Sequence, residues 1–255
     1  MRIMLHTLLA MGLTGMAGVV QAQDVFNLSV GADYASGKYG TPVTSTQWTL
    51  PLVAKYEARE WSAKLSIPYV RIENPAISRD GTPLPCASSG TAPRVASGMG
   101  DTVLTLSRNL LEDRESRLLF DLTGKVKIAT GDETKCLGTG ENDYYLQGDF
   151  SKGVGALGVF GTLGWRKMGD PPGTDFEDPM YWSVGMSYRA SPERSYGFAY
   201  DHRDAILPGR DPLSEATLFM THRFDRTLRV QIYGVAGFSD SSPDWGAGAL
   251  LTRSF

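Results

Sequence analysis

The sequence predicts an all-β fold, a closed antiparallel up-and-down transmembrane β-barrel of about 12 strands with long extracellular loops and short periplasmic turns. Three observations predict it. Apolar and polar residues alternate in runs of about ten to thirteen residues. The connections between these runs are alternately long and short. The 255-residue chain holds 29 Gly and is 10% aromatic, a composition typical of β-rich proteins.

The segment "RLLFDLTGKVKIA" shows the alternation most clearly. Leu118, Phe120 and Leu122 share one face, and Asp121 and Lys125 share the other. A shift of one residue would exchange the two faces, so the strand register is well specified. The same pattern predicts strands, with ends uncertain by two to four residues, near 25–36, 44–56, 60–72, 100–111, 116–129, 142–152, 154–166, 180–190, 194–204, 214–224, 227–238 and 244–255.

Short connections such as "EARE" and "ASPE" follow the even-numbered strands, and longer ones, among them 73–99 and 130–141, follow the odd-numbered strands. Lipid offers no partner to a sheet edge, so we expect the last strand to pair with the first. Phe255 is then a candidate for the periplasmic aromatic girdle and for the C-terminal assembly signal. A secreted β-sandwich also alternates, but aromatic residues at the strand ends and the loop asymmetry favour the barrel.

The first 22 residues resemble a secretory signal peptide that is removed, with Arg2 before an apolar run and "VQA" before Gln23. A retained membrane anchor is the alternative. Residues 23–255 would then form a multi-pass barrel in a Gram-negative outer membrane. The expected partners are membrane lipid, the outer-membrane assembly machinery and a small-molecule solute. A net charge of −3 without a Lys/Arg-rich run argues against nucleic acid.

The polar face of the strands carries charges of both signs, which we expect to face the lumen. Twelve strands give a backbone diameter of roughly 24 Å, so the bore would be narrow. The sequence leaves three alternatives for the interior of the barrel. Ladders of ion pairs could partly fill the bore, the bore could be a weakly selective aqueous path, or the loop at 73–99 could close it. The candidate lumen-facing residues are Asp33, Lys64, Asp101, Asp121, Lys125, Lys127, Asp143, Asp149, Asp201, Arg203, Arg223 and Arg229.

Cys86 and Cys136 fall in the second and third long connections, on the same predicted side of the membrane. Export permits disulfides, so we predict a bridge that pins the longest loop to its neighbour. Two free thiols are the alternative. No metal site or cofactor is predicted, because no His lies within either loop.

His202 and His222 are the only histidines after residue 22. Alternation places both on the outer face, at opposite ends of the barrel, where they cannot share a site. We therefore predict no enzyme. The predicted function is a narrow channel or transporter for a small solute. A structural or adhesive barrel that acts through its outer loops, or a lipid-modifying barrel enzyme, are the alternatives.

Four segments of the chain carry a family resemblance. "GENDYYLQGDFSKG", "YWSVGMSYR", "GFAYDHRDA" and "GFSDSSPDWGAGALLTRSF" resemble the C-terminal half of outer-membrane transporters associated with the meta-cleavage pathway of phenol degradation. The resemblance covers about residues 98–255. It implies a closed barrel and uptake of small molecules, with aromatic ones as a candidate class, and it carries over no site residues. Arg253 departs from the aromatic residue that often precedes a terminal Phe by two places.

Overall fold

Alternating strands make up most of the described chain. The computed structural model describes residues 24–75, 77–78, 80–84, 86 and 94–255, so the predicted signal peptide lies outside the described residues. The strands are β1 (Val25–Gly37), β2 (Ser45–Glu57), β3 (Trp61–Glu73), β4 (Val95–Met99), β5 (Thr102–Asp113), β6 (Leu118–Ile128), β7 (Asp143–Val154), β8 (Leu157–Lys167), β9 (Met180–Arg189), β10 (Arg194–Arg203), β11 (Leu213–Arg223), β12 (Leu228–Gly237) and β13 (Trp245–Ser254).

The sheet closes on itself, which confirms the predicted barrel. Each strand is antiparallel to its neighbours, and β13 pairs with β1 from Asn27↔Ser254 to Ser36↔Trp245. Beyond β13, the Phe255 amide donates to the Phe26 carbonyl at 2.8 Å. Strands β4 and β5 both pair with β3 and together occupy one position, so the barrel has twelve. Every strand except β4 pairs with a neighbour on both sides, and β4 pairs with β3 alone, so the closed sheet satisfies nearly all its strand ladders internally.

Two adjacent prolines explain where the ladder is interrupted. Pro51 and Pro68 face each other across β2 and β3, and neither has an N–H to donate. Opposite Pro68 the strand is interrupted between β4 and β5. At this point the Gly100 amide donates a hydrogen bond to the Pro68 carbonyl at 2.9 Å. The predicted strand at 100–111 corresponds to β5 within the stated uncertainty of its ends, but the prediction missed β4, which precedes it at the same position in the barrel. Pairing starts earlier, at Val95, and is interrupted at 100–101.

The barrel has a polar interior and an apolar exterior. Thr49 and Asp143 are fully buried, whereas Leu218 and Leu163 on the outer face are 67% and 59% exposed. This is the reverse of a water-soluble domain, in which apolar residues fill the core. An outer face of this kind suits contact with lipid.

Several inward aromatic rings lie flat against the barrel wall. The Phe160 ring covers Gly185, and the Phe219 ring covers Gly197. A Cβ at either glycine would collide with the ring, so glycine is required for this close approach. The rings therefore take up space along the wall rather than along the axis.

The longer connections pack together at one end of the barrel, called here the mouth. Met168, Phe176 and Ile206 form an apolar cluster between two of them. In a third, a 3-10 helix at Glu133–Lys135 is capped by Asp132. Hydrogen bonds from the Thr134 hydroxyl and Lys135 lower the pKa of Asp132 to about 2. None of the described residues forms a helix with the length and apolar character needed to cross a membrane.

Candidate functional site

The mouth of the barrel holds a network of buried ion pairs. The Arg166 guanidinium donates to the carboxylate of Asp143 at 2.7 Å and to that of Asp80 at 3.3 Å. The Lys127 ammonium lies 3.0 Å from Asp143 and 3.6 Å from Asp101. These five residues, Asp80, Asp101, Lys127, Asp143 and Arg166, are the mouth cluster. Each cation in it contacts at least two carboxylates, so its charges are largely neutralised.

The longest connection folds inward over this cluster. Arg203 on β10 donates to the Asp80 carbonyl at 2.6 Å, and a Cβ at Gly81 would contact the Ser241 carbonyl. Ile77 and Leu84 are 3% exposed. The described residues of this connection thus contact β8, β10 and the segment before β13. They span the mouth from wall to wall.

A disulfide fastens the same connection, as predicted. Cys86 is bonded to Cys136, with 5.6 Å between the Cα atoms. The bridge packs with Leu84, Leu137 and Ile72 in a small apolar cluster against the wall. A covalent bond and buried apolar contacts therefore hold one side of the inward fold, while Arg166 and Arg203 hold the other.

Beneath the longest connection lies a cavity of about 80 Å³. It is lined by members of the mouth cluster together with Gln47, Thr49 and Thr139. Ligand pockets commonly measure about 300–1,000 Å³. The cavity is thus too small for an organic solute while the connection stays folded in.

Further along the bore, Asp149 is held by neutral donors. Its carboxylate accepts hydrogen bonds from Gln147 at 2.5 Å, Thr162 at 2.6 Å and Thr123 at 2.8 Å. Lys125 is 5% exposed and its ammonium lies 5.7 Å from the centre of the Tyr181 ring. Charges at this level are therefore embedded among hydroxyls, amides and rings.

Acidic residues lie on the other side of the bore. Asp201 and Glu215 are register partners on β10 and β11, and both are buried. Tyr233 donates its hydroxyl to Asp33 at 2.6 Å. Nearer the turn end, Arg223 and Arg229 face each other across β11 and β12.

The residues assigned to the lumen by alternation are placed inside the barrel to different depths. Only some of them are brought together in the mouth cluster. Those buried are Asp33, Lys64, Asp101, Lys125, Lys127, Asp143, Asp201 and Arg203, and those half-buried are Asp121, Asp149, Arg223 and Arg229.

Two residues that organise the mouth are absent from the lumen-facing candidates that the sequence analysis names. Arg166 is 1% exposed and contacts two carboxylates. Its inward direction follows from the alternation in "GTLGWRK", which could have found it. Asp80 lies in a connection without periodicity, so no pattern in the sequence identifies its partners.

The two histidines lie at opposite ends of the barrel. His202, next to the last residue of β10, stacks on Trp182 with 5.4 Å between ring centres. His222 is the register partner of Arg194, the first residue of β10, and packs edge-on against Phe224. The two rings do not form a common site.

Comparison with known proteins shows the fold. No protein-family model and no curated protein sequence matches the chain. An outer membrane channel from Pseudomonas putida F1 is similar in structure, with a TM-score of 0.69 and 15% identity over 95% of this chain and 98% of that chain. The KdgM porin gives 0.56 and 7% identity over 90% and 99% of the two chains. The NanC porin gives 0.55 and 9% over 89% and 98%.

Proposed function

We propose that this protein is a narrow outer-membrane channel for small solutes, exported by an N-terminal signal peptide. The combination of an apolar outer face, a charged interior and a closed twelve-position barrel supports this proposal. Three solved structures of the same fold are an outer membrane channel and two porins. The longer connections would face the outside of the cell, and Phe255 would serve the assembly machinery at the periplasmic rim.

The observation that carries the proposal is the inward connection, fastened at Cys86 and held at Asp80 by Arg166 and Arg203. A barrel of this size has a backbone diameter of roughly 24 Å, and side chains fill much of that width. We infer that the connection acts as a constriction that must move before a solute passes. The resemblance to transporters of phenol degradation makes small aromatic molecules a candidate class.

Single-channel recording in planar lipid bilayers tests this function. We expect small conductance steps from the wild-type barrel. Reduction of the disulfide should give conductance steps that are larger or stay open longer, because the constriction loses its covalent anchor. The same result is expected from a variant that carries Cys86→Ser and Cys136→Ser. Vesicle swelling with small neutral and charged solutes would measure flux in parallel.

The matched control is Arg108→Ala, which removes an exposed ion pair on the outside of the barrel. Its conductance should equal that of the wild type. If neither the wild type nor the serine variant conducts or passes solutes, the barrel is plugged. A structural or adhesive role through the outer connections would then replace the channel.

A further inference from the structure

Two inward lysines flank a single residue on the barrel wall. Lys64 on β3 is the register partner of Thr105 on β5, and Thr105 is in turn the partner of Lys125 on β6. Neighbouring strands are about 4.8 Å apart, so the two side chains start roughly 10 Å from each other. Lys64 is 7% and Lys125 5% exposed. Since both lie inside a closed barrel, that residual exposure is to the bore.

Neither ammonium has an ionic partner among the described residues. Across the part of the chain that the structure describes, no carboxylate lies within 4.0 Å of Lys64 or Lys125, and neither donates a hydrogen bond. Between them, the Thr105 hydroxyl is also buried without a hydrogen bond to any described residue. A buried cation without a counter-ion is costly, and an anion at the same place offsets that cost.

The nearby carboxylate is occupied elsewhere. Asp149 accepts hydrogen bonds from Thr123, Thr162 and Gln147, and among the described residues it lies within 4.0 Å of neither lysine ammonium. The mouth cluster draws its anions from Asp80, Asp101 and Asp143. Asp149 contributes one negative charge beside two lysines, and Lys55 and Glu57 pair with each other at 2.6 Å, so the wall at Lys64 and Lys125 keeps a local excess of positive charge.

We propose that Lys64 and Lys125 form an anion subsite in the wall of the bore, which takes the carboxylate of a small organic acid. This inference deepens the proposed channel function and rests on it for its meaning in transport. The Lys125 ammonium lies 5.8 Å from the centre of the Tyr145 ring and 5.7 Å from that of Tyr181. These rings give an apolar surface beside the charge, which suits an anion that has a carbon body.

Equilibrium binding of benzoate to the folded, detergent-solubilised barrel tests the subsite without requiring transport. Ligand-observed NMR titrations would compare benzoate with acetate, which lacks the ring, and with benzamide, which lacks the charge. We expect benzoate to bind more tightly than acetate, and benzamide to bind about tenfold more weakly than benzoate, because each loses one of two interactions.

Lys64→Met and Lys125→Met keep most of the length of the side chain and remove its charge. Each should weaken benzoate binding about tenfold. Lys152→Met, on an exposed lysine of β7, is the matched control and should bind as the wild type does. A shift in gel mobility on heating establishes that each variant has folded.

Equal binding of benzoate and benzamide would overturn the subsite, as would full benzoate affinity in both lysine variants. A barrel that conducts ions but shows no lysine-dependent binding retains the channel function and loses the subsite. One that binds benzoate through the lysines but never conducts retains the subsite and loses the channel.

Discussion

Lys125 and Lys127 are consecutive inward residues of β6 and are almost equally buried, at 5% and 6% exposure. Lys127 contacts Asp143 and Asp101, whereas among the described residues Lys125 has aromatic rings beside it and no carboxylate within 4.0 Å. Two residues apart, the same side chain thus has two different environments. We expect the paired charges near the mouth to stabilise the fold, and the lysine without a described ionic partner, deeper in the bore, to be available to a solute that enters.

The largest effect is expected from breaking the mouth cluster. Arg166→Met should lower the free energy of unfolding by about 3–5 kcal/mol, because it leaves the buried carboxylate of Asp143 with less compensation. Urea unfolding of the barrel in lipid vesicles, followed by tryptophan fluorescence, measures this. The control Arg108→Ala removes an exposed pair at 3.8 Å and should change the free energy by less than about 1 kcal/mol. Equal effects of the two variants would show that the paired cluster does not stabilise the fold.

A matched pair on one strand sharpens the comparison directly. Lys127→Met should lower the free energy of unfolding by about 2 kcal/mol or more, because Asp143 and Asp101 lose a partner. Lys125→Met should change it by less than about 1 kcal/mol, or raise it, because a buried cation without a partner is removed. The same urea titration serves both. If Lys125→Met proved the more destabilising variant, the division into paired and unpaired lysines would be wrong.

The smallest effect concerns the charge next to the unpaired lysines. Asp149→Asn should strengthen benzoate binding about twofold to fivefold, since it removes a negative charge that opposes an entering anion. NMR titration measures the change. Glu112→Gln, an exposed carboxylate near the turn end, should leave affinity unchanged. Weaker binding in Asp149→Asn would mean that Asp149 organises the subsite rather than competing with the anion.

Much of the fold follows from the printed sequence, because a period of two assigns each strand residue to a face. That period placed Lys125 and Lys127 on the same inner face and indicated the closed barrel. The period of two contains no information on the partners that a residue contacts across the bore. These contact partners depend on the register between strands and on where a connection folds. The contacts of Asp80 with Arg166, and the difference between the two lysines, therefore required the structure.

The bonding of the two cysteines was predictable for a different reason. The predicted barrel places both connections at the same end and export permits disulfides, so a bridge between Cys86 and Cys136 could be predicted, with two free thiols as the alternative that the structure removes. The break at 100–101 could not be placed, because Pro68 acts from the neighbouring strand and not from the sequence around Gly100.

The rings of Phe160 and Phe219 can lie along the barrel wall because Gly185 and Gly197 beneath them have no side chain. A single methyl group at either glycine would meet both the ring above it and a backbone carbonyl oxygen of the neighbouring strand at less than 3.0 Å, so it would displace the ring toward the centre or deform the sheet. The width of the bore at this level thus depends on the smallest residues in the chain as well as on the number of strands.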